Sequence, residues 1–154
     1  RFSMKQIEYF RTYSYGGEDG SVLSLARCVN GKIYIYGKRK SGHIDKYINE
    51  FILLTKNCRC GTIHTEDNGD KGYLARDILK QHPATTYHES MNKYIKISTY
   101  LRQEWGNIYF YEQTDPEYIQ EILDYTEDAE HDDSPDSASS IVRLFKGNNI
   151  RRGF

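Results

Sequence analysis

Ser21-Val-Leu-Ser-Leu-Ala-Arg-Cys28, then Val29-Asn30-Gly31, then Lys32-Ile-Tyr-Ile-Tyr-Gly37, is the stretch on which the fold turns. Two arms rich in β formers flank Asn-Gly, the strongest short-range hairpin signal, because both turn residues must take positive φ to match strand twist. Gly37-Lys-Arg-Lys-Ser-Gly42 then reads as a break in the second strand. Beyond it Ile44, Tyr47, Ile48, Phe51 and Ile52 recur at i, i+3, i+4, i+7 and i+8, one apolar face of a helix. A hairpin feeding an amphipathic helix predicts an α+β fold, an antiparallel sheet packed against a helix with several further helices. Its open side is the natural place for a ligand.

At 154 residues the chain reads as one domain, 1–154, with enough length to bury a core. A hydrophobic share of 38% is low, but 14 tyrosines supply further apolar area. The net charge of −1 hides segregation: base clusters within 27–59, including Lys38-Arg39-Lys40, and acid dominates 112–136. No apolar run approaches the ~20 residues of a membrane span, which predicts a soluble chain with no membrane partner. It opens mid-pattern at Arg1 with no signal-peptide pattern, and reads as an excised piece of a longer polypeptide. Three cysteines, an odd number, predict free thiols and a reducing compartment.

Outward from the hairpin, Tyr13-Ser14-Tyr15 reads as a strand with both rings on one face. Residues 57–72 read as a loop. Its Cys58-x-Cys60-x3-His64 lacks the second cysteine pair that a structural zinc needs, so no metal is assigned. Helices are predicted from Gly72 to His82, stopped by Pro83, and from Met91 to Trp105, stopped by Gly106; Ala84–Ser90 reads as a linker between them. Asn107–Tyr111 reads as a strand. Thr114-Asp-Pro-Glu117 opens a further helix with a capping-box pattern. Residues 126–140 read as a flexible acidic loop, Ser140–Lys146 as a strand and 147–154 as a tail.

Catalytic signatures are missing. The sequence holds no Gly-rich phosphate loop, Gly-x-Ser-x-Gly elbow, His-Glu-x-x-His or dinucleotide fingerprint, and its five histidines are scattered. This favours a binding module over an enzyme and assigns no cofactor. A tyrosine-rich basic side remains, with Tyr13, Tyr15, Arg27, Tyr34, Tyr36, Lys38, Arg39, Lys40, Lys46 and Tyr47. Aromatics among cations hold bases by stacking and phosphates by charge. Lys38, Arg39 and Lys40 form the candidate RNA-contacting patch.

The order of Thr12-Tyr-Ser-Tyr-Gly-Gly17, Val22-Leu23, the hairpin, Tyr36-Gly37-Lys38-Arg39, a helix carrying Lys46, and Leu74-Ala75 in the next helix resembles the cap-binding domain of polymerase basic protein 2 of the orthomyxoviruses, in a divergent, thogotovirus-like form. The resemblance covers nearly the whole chain in order, with thin identity. It implies a subunit of a viral RNA polymerase acting in the host nucleus and carried in the virion. The implied partners are other polymerase subunits and viral or capped host RNA; the isolated domain is expected to be a monomer. In that family two aromatic rings grip the cationic methylated guanine, while a carboxylate and a lysine read its edge.

Position by position, the resemblance puts Lys46 on the base-reading lysine, Tyr13 on the aromatic beside the nucleoside and Tyr15 on its companion. Arg27 falls where the first ring stands, Gly31 where the acidic reader stands, and Ala84 near the second ring, with Tyr87 the nearest aromatic. Asp45 or Glu50 could replace the acid only in another geometry. The expectation is a cap-binding-type domain that binds the methylated cap weakly or not at all. The alternative is a scaffold for RNA or other polymerase subunits.

Overall fold

The computed structural model describes residues 20–67 and 72–152, with 147–152 as backbone alone. Arg1, Tyr13 and Tyr15 lie outside the described residues. The elements run β1 (Ser21–Val29), β2 (Lys32–Lys40), α1 (Ile48–Asn57), β3 (Ile63–Glu66), α2 (Tyr73–Leu79), β4 (Ala84–Tyr87), α3 (Lys93–Lys96), β5 (Ile108–Phe110), α4 (Pro116–Leu123) and α5 (Asp133–Arg152). The fold is α+β.

The hairpin forms on the predicted turn. Asn30 (φ 52°) and Gly31 (φ 79°) both take the left-handed conformation, and Leu25 pairs with Tyr36 and Arg27 with Tyr34. The second strand does not break at Gly37 but runs to Lys40, paired with Ser21. Gly37 serves packing here: a Cβ would lie 2.5 Å from the Tyr118 ring. The sheet is mixed, in the order β1-β2-β5. The long connection from β2 brings β5 in parallel, Tyr34 beside Tyr109. A second sheet pairs β3 with β4 in parallel, so the predicted 57–72 loop and 84–90 linker each contain a strand.

Alternation along β1 and β2 sorts side chains onto two faces. The first carries Leu23, Leu25 and Tyr36 against Ile44, Phe51 and Ile52 of the α1 region and Leu74 and Ile78 of α2. The second carries Val22, Ala26, Ile33 and Ile35 against Ile97, Leu101, Ile122, Ile141 and Phe145 from the other helices. Leu25, Ile33 and Ile35 are fully buried, each worth ~1.5–3 kcal/mol of transfer free energy.

Two helices differ from expectation in form. The 44–54 helix opens as a 3-10 turn, Ile44–Lys46, before α1. The Met91–Trp105 helix is α3 continued by a π turn, Ile97–Arg102, with a separate 3-10 turn at Trp105–Asn107. Asn92 caps it, accepting from the Ile95 amide at 3.1 Å. Gly106 belongs to that 3-10 turn and is not a left-handed stop.

The largest correction is at the C-terminal end, where α5 replaces the second half of the predicted loop, the predicted strand and most of the tail. Its inward stripe runs through Ser134, Ser137, Ala138, Ile141, Val142 and Phe145, all buried. Small residues let the helix approach the sheet closely enough for Ser137 Oγ to lie 2.6 Å from Ser24 Oγ. Glu121 Oε1 accepts from the Ser134 amide at 2.8 Å, capping α5 from α4.

Candidate nucleic-acid interface

The three strands of the main sheet carry Arg27, Lys32, Lys38, Arg39 and Lys40 and no carboxylate. The structure divides these cations into two groups.

Lys38, Arg39 and Lys40 are answered by acid from other elements. Asp115, just before α4, accepts from the Arg39 amide at 2.9 Å and from Lys38 Nζ at 3.3 Å. The Arg39 guanidinium pairs with Glu121 and lies 3.9 Å from Glu117; its side chain is 10% exposed. Lys40 sits 3.8 Å from Glu50. The predicted capping box is therefore used otherwise: the Asp115 carboxylate bonds β2, and Thr114 Oγ1 accepts from the Gly37 amide at 3.3 Å and donates to the Ile35 carbonyl at 3.3 Å. Burial alone would lower the Lys38 pKa, but Tyr36 and Asp115 outweigh it and hold the ammonium above its ordinary value. The run is a docking strip for α4 and α1, with its charge largely cancelled.

The acid that accumulates around α4 also shapes the nearest concavity. A cavity of about 370 Å³ between α4 and residues 129–131 is lined by Glu117, Glu121, Asp124, Glu130 and Arg39. Its walls repel phosphate. Among the described residues no group of three or more histidines, cysteines or acids could hold a metal ion, and Cys58 and Cys60 lie buried in the first-face core.

Arg27 and Lys32 lie at the other end of the first face, near the hairpin tip. The helices cover Leu23, Leu25 and Tyr36, whereas Tyr34 is only partly buried and Tyr109 is 38% exposed. Tyr34 and Tyr109, register partners on β2 and β5, stack with ring centroids 5.4 Å apart. Lys32 Nζ stands 5.7 Å from the Tyr109 centroid. Arg27, opposite Tyr34, acts on the phenol of buried Tyr111 through its charge. Burial raises the Tyr111 pKa and Arg27 opposes the rise, so the phenol stays protonated at neutral pH. Among the described strands β5 is at the edge of the sheet, which leaves Tyr109 at its rim.

The residues that the resemblance places around one base are dispersed. Lys46 is exposed beside Gly42, whose carbonyl accepts from Ser21 Oγ at 2.8 Å. Ser21 and Arg27 are separated by six residues of strand, roughly 20 Å. Asp45 and Glu50 belong to the Lys46 end, beside His43 and Lys40. Ala84 pairs with Ile63, and Tyr87 turns to α5, where its hydroxyl lies 3.4 Å from Ser140 Oγ and its ring under Arg143. Tyr87 does not face Arg27 across a pocket.

Lys32, Tyr109 and Tyr111 were missed as site residues. The alternation within Asn107–Tyr111 already places Tyr109 and Tyr111 on one face; the strand beside which they lie is a long-range choice that no local pattern carries. No protein-family model matches the chain, and no curated protein matches it.

Proposed function

We propose that this is a cap-binding-type domain of an orthomyxovirus-like RNA polymerase subunit, non-catalytic, that has kept the architecture while losing the cap grip. The fold order, a hairpin followed by a Lys46-bearing turn and helix and then a Leu74-Ala75 helix, supports the kinship. One observation carries the loss. Arg27, on the family's first ring position, is a cation and not a ring, while Ala84 and Tyr87, nearest the second ring's position, lie on the β3–β4 sheet with Tyr87 turned to α5.

A guanidinium can stack on a neutral base but repels a cationic one. One missing stacking face forfeits ~1–3 kcal/mol and the missing charged acceptor a comparable amount, together roughly two or more orders of magnitude in affinity. Calorimetric titration of the whole chain with 7-methyl-GTP and with GTP, at two salt concentrations, tests the reading. The expected result is no preference for the methylated nucleotide. Saturable, methyl-selective binding in the micromolar range would overturn it.

A further inference from the structure

We infer that the open hairpin end of the first face is a platform for single-stranded RNA, on which Tyr109 stacks a neutral base and Lys32 holds a neighbouring phosphate. The inference rests on the polymerase reading above for the identity of the nucleic acid, and on the geometry of the sheet for the site.

Three features converge. The Tyr34–Tyr109 stack ends at the edge of the described sheet with Tyr109 38% exposed, so a further aromatic plane can extend it. Lys32 is exposed and lies over that same ring, and among the described residues it joins no ion pair, unlike Lys38, Arg39 and Lys40. The three described strands of this sheet contribute no carboxylate that would repel a phosphate.

A cross-strand tyrosine pair alone would be ordinary sheet packing. An exposed edge ring with a cation over it provides both halves of single-strand recognition, a π-face and a phosphate partner. The strand must be single because a base reaches the ring only when unstacked from its neighbours. The base must be neutral because Lys32 and Arg27 both repel the methylguanine cation. The platform therefore prefers the body of a transcript to its cap.

The test is fluorescence anisotropy of a labelled short single-stranded oligoadenylate RNA on the whole chain, against the same RNA in duplex form and carrying a methylated cap. Wild type is expected to bind the single strand, capped and uncapped alike, with affinity falling as salt rises. Tyr109→Ala should weaken binding about tenfold, while Tyr109→Phe, which keeps the ring, should not. Lys32→Ala should lower the salt slope by about one. Lys40→Ala and Lys46→Ala should leave both quantities unchanged, and thermal melts confirm that each variant folds.

The inference is overturned by a wild type that does not bind at low salt, by Tyr109→Ala binding as wild type, by an equal loss in Lys40→Ala, or by a self-associated dimer that hides Tyr109. The two proposals fail separately. Cap selectivity that survives Tyr109→Ala would sink the lost-grip reading and leave the platform to be judged on uncapped RNA. Absence of both RNA binding and cap selectivity would remove the platform alone.

Discussion

Gly37→Ala is the substitution whose outcome depends most directly on the tertiary structure. Gly37 lies within β2 with no positive φ, so the backbone accepts alanine. On propensity alone the change should stabilise the strand by ~0.5–1 kcal/mol. The new methyl, however, would lie 2.5 Å from three atoms of the Tyr118 ring. Tyr118 has no accessible surface, and its hydroxyl lies 2.6 Å from Ser24 Oγ, the residue opposite Gly37. A rigid ring held at both ends cannot yield as the tip of a flexible chain would. Overpacking costs ~1–3 kcal/mol, and losing the Ser24 hydrogen bond adds ~1 kcal/mol.

The balance is a net loss of about 2 kcal/mol, a fall in Tm of roughly 4–8 °C for a chain of this size. Urea unfolding followed by circular dichroism measures it directly. Tyr118→Leu opens the slot, so Gly37→Ala should cost less in that background than in wild type, a coupling of the kind a double-mutant cycle resolves. An alanine variant as stable as wild type, or additive costs in the cycle, would refute the reasoning.

Two further perturbations test the helical side of the sheet. Lys96 is 1% exposed, 3.1 Å from Glu89 and 2.8 Å from Ser140 Oγ, and paired with Asp136; Lys96→Met should destabilise by ~3–5 kcal/mol in urea melts, because it strands buried carboxylates. Acid titration should show two opposed effects. Burial, then Glu121 and Asp132, raises the Asp133 pKa to about 7; the folded state therefore holds a proton that the unfolded state releases near pH 4, and stability falls as pH climbs from 4 to 7. Burial works against Glu89 ionisation, but Arg143 and Lys96 dominate and lower its pKa to about 2, so its contribution is complete above pH 4.5 and lost as pH falls toward 2. Asp133→Asn should flatten the slope between pH 4 and 7 without touching the acid limb, in urea midpoints measured across that range. A variant whose slope matches wild type would exclude Asp133 as its origin.

What the sequence by itself determined is what neighbouring residues settle among themselves. Asn30-Gly31 alone accommodates two consecutive left-handed conformations, so the hairpin and its register follow from the local chain. The period of Ile44, Ile48, Phe51 and Ile52 marks the buried face around α1, and Tyr118 with Ile122 marks that of α4. Tertiary structure decided everything that depends on what lies opposite. Asp133–Ser140 is poor in apolar residues and reads as loop, yet its small serines fit the narrow gap over Ser24 and it becomes the start of α5. Lys38-Arg39-Lys40 reads as an open basic patch until Asp115, Glu121 and Glu50 arrive from 10 to 82 residues away to neutralise it. Tyr109 reads as one β former among several, and only parallel pairing with β2 sets it beside Tyr34 and under Lys32. Backbone conformation answers to its neighbours in sequence, whereas charge, burial and a shared face are relations between segments that meet only when the chain closes on itself.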